Sequence, residues 1–226
     1  MPETKRDASG RERTLDVPAS PRRSVVDDPR LRARLKADLR RQIQAVRAAL
    51  PREARARRSA CISSRVQALD AWASSKFVCA FASIRSEVHT HELVRSALQS
   101  TGRVAFPRVD AELGEIVLHE VRDMDELRPS GAFDIPEPAP DAPLAALETI
   151  DFVLVPALAL DPTGRRIGYG RGYYDRLLTK LPNALRVAVA YDFQLLAEIP
   201  DEPHDERVHF VVTDSRTIDV RAESER

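Results

Sequence analysis

Three glycines at every second position, Gly168, Gly170 and Gly172, are separated by Tyr169 and Arg171 and followed at once by Tyr173, Tyr174 and Asp175. Glycine has no Cβ, so such a run can visit positive φ and bring successive backbone N–H groups close to an anion. The residues between the glycines add a cation and aromatic surface. Upstream, Val153, Leu154 and Val155 read as a buried strand; downstream, Leu177, Leu178 and Leu181 fall at helical spacing. Strand, glycine loop and helix in that order make a phosphate cradle, backed by the positive end of the helix dipole. The string is neither Gly-x-x-x-x-Gly-Lys-[Ser/Thr] nor a Gly-x-Gly-x-x-Gly turn sitting directly between a strand and its helix, so neither common nucleotide motif is met.

Other side chains with chemical potential lie elsewhere. Lys36 and Arg40, four residues apart on a helical stretch, offer two cations on one face; the plain alternative is a solvated basic face. Glu87 follows a strand and precedes a helix, where a carboxylate either accepts hydrogen bonds from a ligand or simply favours the helix start. His89 and His91 stand two apart without further ligands and make only a weak zinc site. Asp175 and Asp205, from separate loops, suffice for Mg²⁺, which takes one or two carboxylates and fills its octahedron with phosphate oxygens and water. Asp175 as a helix-start charge is the competing account. Phe133, in the Pro-rich stretch 129–143, is either a mobile cover for a flat ring or an anchor to the core.

The elements that must position these groups alternate. Asp27 or Asp28 before Pro29 supplies a helix start, and Leu31, Leu35, Leu39, Ile43, Val46 and Leu50 recur every three or four residues up to Pro51. A second helical stretch carries Ile62, Val66, Leu69 and Trp72 on one face. Residues 77–82 then read as a buried strand, 91–99 as a helix stopped near Gly102, and 104–106, 116–121 and 151–155 as strands. After the glycine loop come a helix, a run at 187–191, a short helix around Leu195 and a last strand at 208–212. Strands separated by helices imply an α/β fold with a largely parallel sheet and helices on both faces, whose ligands lie at the carboxyl ends of strands. The segments 83–90, 107–110 and 157–172 each follow a strand and would converge there. Residues 1–27 lack a periodic apolar face and read as a disordered extension, 28–214 as a single α/β catalytic domain and 215–226 as a C-terminal tail.

Composition narrows the classes. A chain of 226 residues supports one sizeable core, and no apolar run approaches a membrane span. The N-terminus has no secretory pattern, and Cys61 and Cys79 fit buried thiols in a reducing cytoplasm. Residues 1–70 hold 18 Lys and Arg against 9 Asp and Glu, and the remainder 17 against 26. A basic front suits nucleic acid, an anionic membrane or an anionic small substrate. With no aromatic among those arginines until Trp72, a stacking platform for single strands is unsupported.

Residues 166–176 read Arg-Ile-Gly-Tyr-Gly-Arg-Gly-Tyr-Tyr-Asp-Arg. This string resembles the signature of the 5-formyltetrahydrofolate cyclo-ligase family, also called 5,10-methenyltetrahydrofolate synthetase, with Ile167 in place of Leu. Lys36-x-x-Leu39-Arg40, Glu87-Val88-x-Thr90, Phe106-Pro107-Arg108 and Phe133-x-Ile135-x-Glu137-Pro138 are similar to further family segments, so the resemblance runs from residue 31 to about 214. Two positions depart from it: Ala157 stands where the family has Gly and Leu160 where it has Phe, which bears on pocket shape more than on chemistry. Arg171 occupies a position that is often Gly or Lys, and keeps a cation.

The resemblance implies a three-layer αβα domain with the architecture of sugar-phosphate isomerases and CoA transferases. It implies ATP-dependent cyclisation of 5-formyltetrahydrofolate to 5,10-methenyltetrahydrofolate, releasing ADP and phosphate through a phosphorylated formyl intermediate. ATP would be held by Lys36, Arg40, Arg166, Gly168, Tyr169, Gly170, Arg171, Gly172, Tyr173 and Tyr174, and Mg²⁺ by Asp175 and Asp205. The folate would meet Arg40, Ala82, Glu87, Phe133, Tyr169, Gly170, Arg171, Gly172 and Tyr173. Catalytic roles fall to Arg171, Tyr173 and Tyr174. The expected partners are the folate and ATP, with no nucleic acid and no membrane, in a cytoplasmic monomer. Two other classes stay open: a phosphate-handling enzyme of the same architecture that needs no ATP, and a non-catalytic binding protein using its basic front.

Overall fold

The computed structural model describes residues 28–110, 112–130 and 135–223. Phe133 and the N-terminal extension therefore lie outside the described residues. Helix α1 (Pro29–Ala49) begins where its cap signal puts it. The Asp28 side chain accepts a hydrogen bond from the Arg30 amide at 2.9 Å, and Pro29 takes the first turn, where a missing N–H is harmless.

The buried face of α1 coincides with only part of the leucine stripe read from the sequence: Ile43 is buried, and Leu39 and Leu50 pack against core clusters. Leu31, Leu35 and Val46 are exposed, while Lys36, Ile43 and Arg47 are buried. These three positions still follow helical spacing. Ile43 packs with Ala159, Ile167 and Ile199 in a small cluster of its own, so α1 covers a satellite of the fold and turns charge inward. Helix α2 (Arg52–Gln67) and the single turn α3 (Asp70–Ala73) bury Ile62, Val66 and Trp72, as their periodicity predicts.

The sheet has seven strands. Its middle strand is β6 (Phe152–Pro156), with β1 (Val78–Cys79) and then β2 (Val104–Asp110) on one side and β9 (Leu185–Val189) and then β10 (Phe210–Val212) on the other. These five run parallel. Both outer strands, β3 (Glu115–Val121) and β11 (Thr217–Asp219), pair antiparallel with β2 and β10. Residues 215–226 were set apart as a tail by the sequence; their described part instead supplies the edge strand β11 and the turn α6 (Val220–Glu223).

Helices cover both faces. Along β6, Phe152 and Leu154 point into one core with Ile62 and Val66 of α2 and Leu93 and Val94 of α4 (His91–Thr101). Val153 and Val155 point into the other, with Leu177 and Leu178 of α5 (Tyr173–Thr179). This two-sided alternation is why β6 is apolar at every position. Helix α4 stops at Gly102, whose φ of 73° gives the left-handed cap that ends a helix cleanly.

Short pieces decorate this frame. The Pro-rich stretch contains a ladder of β4 (Arg128–Ser130) and β5 (Ile135–Glu137). It is docked on β2 by Glu137, which accepts from the Val109 amide and from Arg108. The hairpin β7 (Ala159–Leu160) and β8 (Arg166–Ile167) follows β6 and leads into the glycine loop. Around Leu195 the expected short helix is a 3₁₀ turn, Asp192–Gln194. Among the described residues no helix is long and apolar enough to cross a membrane. Cys61 is exposed rather than buried, and Cys79 is buried, with its thiol pushed up to about 12 by burial.

Candidate functional site

The strand order reverses between β1 and β6: the chain moves outward from β1 to β2, then returns beside β1 and proceeds the other way. The segments leaving those two strands diverge there, which is where open α/β sheets bind ligands. A cavity of about 10 Å³ lies at that crevice, lined by Arg47, Phe81 and Glu87 from one side and Pro156, Ala157 and Gln194 from the other. It has room for about one water molecule. Gln194 donates to the carbonyls of Ala157 and Leu158 at 3.0 and 2.9 Å and accepts from the Tyr191 amide, so the turn after β6 is held rigidly.

The glycine loop joins β8 to α5. Gly170 and Gly172 have φ of 91° and 66°, values that side-chain-bearing residues rarely adopt, and a Cβ at Gly170 would sit 3.2 Å from the Arg40 guanidinium carbon. Arg40 donates to the Gly168 carbonyl at 2.8 Å. The cation from α1 is thus seated directly on the loop. Helix α5 is only seven residues long, so the loop amides and nearby cations, rather than a long helix dipole, supply the positive potential.

Each further cation is placed. The Lys36 ammonium is buried between Glu202 at 2.8 Å and Asp205 at 2.5 Å. Arg166 is buried and donates to Asp175 Oδ1 at 2.6 Å, an oxygen that also accepts from the Glu206 amide. Asp175 and Asp205 both act electrostatically on Arg166. Arg171 is exposed, and among the described residues its guanidinium has no ion-pair partner. Tyr173 lies under the Arg176 guanidinium at 5.4 Å. The Tyr174 hydroxyl is buried and finds no hydrogen-bond partner among the described residues, and burial pushes its pKa well above the ordinary phenol value.

On the other side, Glu87 is buried in the segment after β1. Its carboxylate accepts from the Ile84 amide at 3.1 Å and from the Tyr169 hydroxyl at 2.8 Å, and Arg47 stands 4.0 Å away. Burial outweighs these contacts and raises the Glu87 pKa above the usual carboxylate value. Burial and the neighbouring Glu87 also push the Tyr169 phenol up to about 12, which keeps it a proton donor at neutral pH. Ala82 packs half-buried against the core beside this segment.

The structure therefore brings Lys36, Arg40, Arg166, Glu87 and Asp205 onto the segments around the glycine loop. Among the described residues, one group of three possible metal ligands, Glu202, His204 and Asp205, has its ligand atoms within 4.8 Å of one another. His89 and His91 gather no third ligand among the described residues. Sequence reasoning missed Arg47, Glu202 and Gln194. Arg47 had a signal, since Lys36, Arg40, Ile43 and Arg47 share one helical face.

The 5-formyltetrahydrofolate cyclo-ligase family profile matches residues 32–214, most of the chain and every segment that builds this site. The chain belongs to this family. It is 35% identical over 184 residues to the 5-formyltetrahydrofolate cyclo-ligase of Mycolicibacterium smegmatis, covering 76% of this chain and 94% of that protein. The cyclo-ligase of Saccharomyces cerevisiae is 30% identical, over 77% of this chain and 92% of the relative. Among solved structures, the 5,10-methenyltetrahydrofolate synthetase of Aquifex aeolicus superposes with a TM-score of 0.74 at 34% identity, over 83% of this chain and 93% of that one. The cyclo-ligase fold thus extends over both halves of the sheet, and the glycine loop lies within the matched region.

Proposed function

We propose that this cyclo-ligase family member converts 5-formyltetrahydrofolate and ATP to 5,10-methenyltetrahydrofolate, ADP and phosphate. The observation that carries the reading is the seating of the glycine loop between two chemistries, with Arg40 on its Gly168 carbonyl and Glu87 on its Tyr169 hydroxyl. One side suits a polyphosphate, the other a ligand with hydrogen-bond donors.

The formyl oxygen is amide-like and leaves poorly. Its attack on the γ-phosphorus of ATP expels ADP and leaves a phosphorylated formyl group. N10 then attacks the activated carbon, closing the ring and giving up its proton, and the C–O bond breaks as phosphate departs to leave the conjugated N5–CH–N10 cation. Transfer of this kind depends on alignment and on positive charge around the phosphoryl oxygens. Arg40, Arg166, Arg171, Lys36 and the amides of residues 168–172 supply that charge, and Tyr173 and Tyr174 pack the reacting groups. The unanswered Tyr174 hydroxyl supports this role, because a buried donor without a partner is unfavourable until a ligand oxygen accepts from it.

The carboxylates also fit Mg²⁺. Asp175 uses Oδ1 for Arg166 and the Glu206 amide, and Asp205 uses Oδ2 for Lys36 and the Glu202 amide, so among the described residues each keeps its second oxygen for a hard cation. Bound there, Mg²⁺ would neutralise charge on the phosphates. The folate sits on the Glu87 side, at the mouth of the crevice. The test is spectrophotometric: purified protein with Mg-ATP and 5-formyltetrahydrofolate raises the methenyltetrahydrofolate absorbance, and no rise overturns the reading.

A further inference from the structure

Helix α1 buries a second cation that the reaction above leaves without a task. Arg47 is 4% exposed, in the wall of the crevice. Its Nε donates to Ser86 Oγ at 3.2 Å and its Nη2 to the Tyr169 hydroxyl at 2.7 Å, while Nη1 stands 4.0 Å from Glu87 Oε1. The Tyr169 hydroxyl passes the interaction on, donating to the same Glu87 oxygen at 2.8 Å. The guanidinium centre also lies 5.9 Å from the Tyr169 ring. One planar fork therefore addresses the segment after β1 at two points and the glycine loop at one, which a lysine ammonium at that position cannot do.

We propose that Arg47 is a positioning residue for the folate, holding the Glu87 carboxylate and the Tyr169 phenol in fixed register at the mouth of the crevice. The proposal rests on the reading of Glu87 as a substrate contact. Arg47 touches none of the loop amides and acts only through its two partners. A buried cation whose carboxylate partner stands as far as 4.0 Å away is retained at a cost in stability, which a hydrophobic side chain would avoid.

The arrangement has a pH signature. The groups facing Glu87 are Arg47 from α1, Tyr169 from the glycine loop, and Arg85 and the Ile84 amide from its own segment; Tyr174 feels its charge, and Tyr191 donates to its carbonyl. Burial pushes the Glu87 pKa up, and of the two cations opposing that push Arg47 has the larger influence. Removing Arg47 therefore raises the Glu87 pKa further, and the acid limb of kcat/KM for the folate moves to higher pH.

Steady-state kinetics across pH on Arg47→Met, Arg47→Lys and Glu87→Gln test this. Arg47→Met is expected to raise the folate KM about tenfold, the scale of one lost charge-assisted hydrogen bond, with the ATP KM little changed. Its acid limb moves to higher pH. Arg47→Lys returns the limb towards its original place and leaves the KM raised, because it restores charge without the fork. In a Glu87→Gln background, Arg47→Met adds little. A variant that melts lower with folate KM and acid limb unchanged overturns the proposal. If Arg47→Met does not fold, Arg47→Lys decides, with an unchanged folate KM as the overturning result. A Glu87→Gln enzyme with normal folate KM removes the substrate-contact reading itself and the proposal with it, which is distinct from failure at Arg47 alone.

Discussion

Lys36 and Arg47 occupy the same buried face of one helix in opposite surroundings. Lys36 sits at the rim against two carboxylates, Glu202 and Asp205, both partly exposed. Arg47 sits in the crevice wall against two hydroxyls and a single carboxylate at longer range. In the proposed reaction the Lys36 ion pairs would be exchanged, an incoming phosphate taking over the ammonium while the carboxylates turn to a metal. The crevice pairing holds its members in place, since dismantling it strands a charge away from water. A charged face on one helix can thus serve transient neutralisation at one end and fixed alignment at the other.

Gly170→Ala should separate the two ends most sharply. The left-handed φ is strained for any side chain, and a methyl group 3.2 Å from the Arg40 guanidinium carbon displaces that cation by a few tenths of an ångström, so kcat should fall up to about a hundredfold, the scale of misplaced reacting groups, with folding retained by circular dichroism. Next in size, Lys36→Met should raise the ATP KM about tenfold and leave the folate KM within about twofold; equal rises in both would erase the contrast between rim and crevice. Tyr169→Phe removes the hydroxyl that favours ionised Glu87, so the Glu87 pKa rises and the acid limb of folate kcat/KM moves up, with a KM increase of a few-fold. A limb moving down would show that the phenol opposes rather than supports the carboxylate. The smallest effect is salt: raising ionic strength from about 0.1 M to about 1 M shortens screening from about 10 Å to about 3 Å. The ATP KM should therefore rise more than the folate KM.

Local signals were legible in the sequence. The Asp28–Pro29 start, the Gly102 stop, the two-sided apolar strand β6 and the glycine loop each depend on residues close to one another along the chain. The hairpin β7–β8 and the edge strand β11 were not, because ladders of two or three residues carry no readable period. The antiparallel outer strands were hidden for a related reason, since direction follows from topology rather than residue type. Arg47 shows the deepest gap. The leucine spacing assigned burial to Val46, which is 52% exposed, whereas its neighbour is buried by partners 39 and 122 residues away. Hydrophobicity patterns have no means of announcing a charge that is wanted inside.

The unanswered hydroxyl of Tyr174 has a thermal consequence. An unsatisfied buried polar group costs about 1–3 kcal/mol, so phenylalanine at that position should make the empty protein melt at a higher temperature while turning over more slowly. Pressure towards heat tolerance and pressure towards speed would pull position 174 in opposite directions.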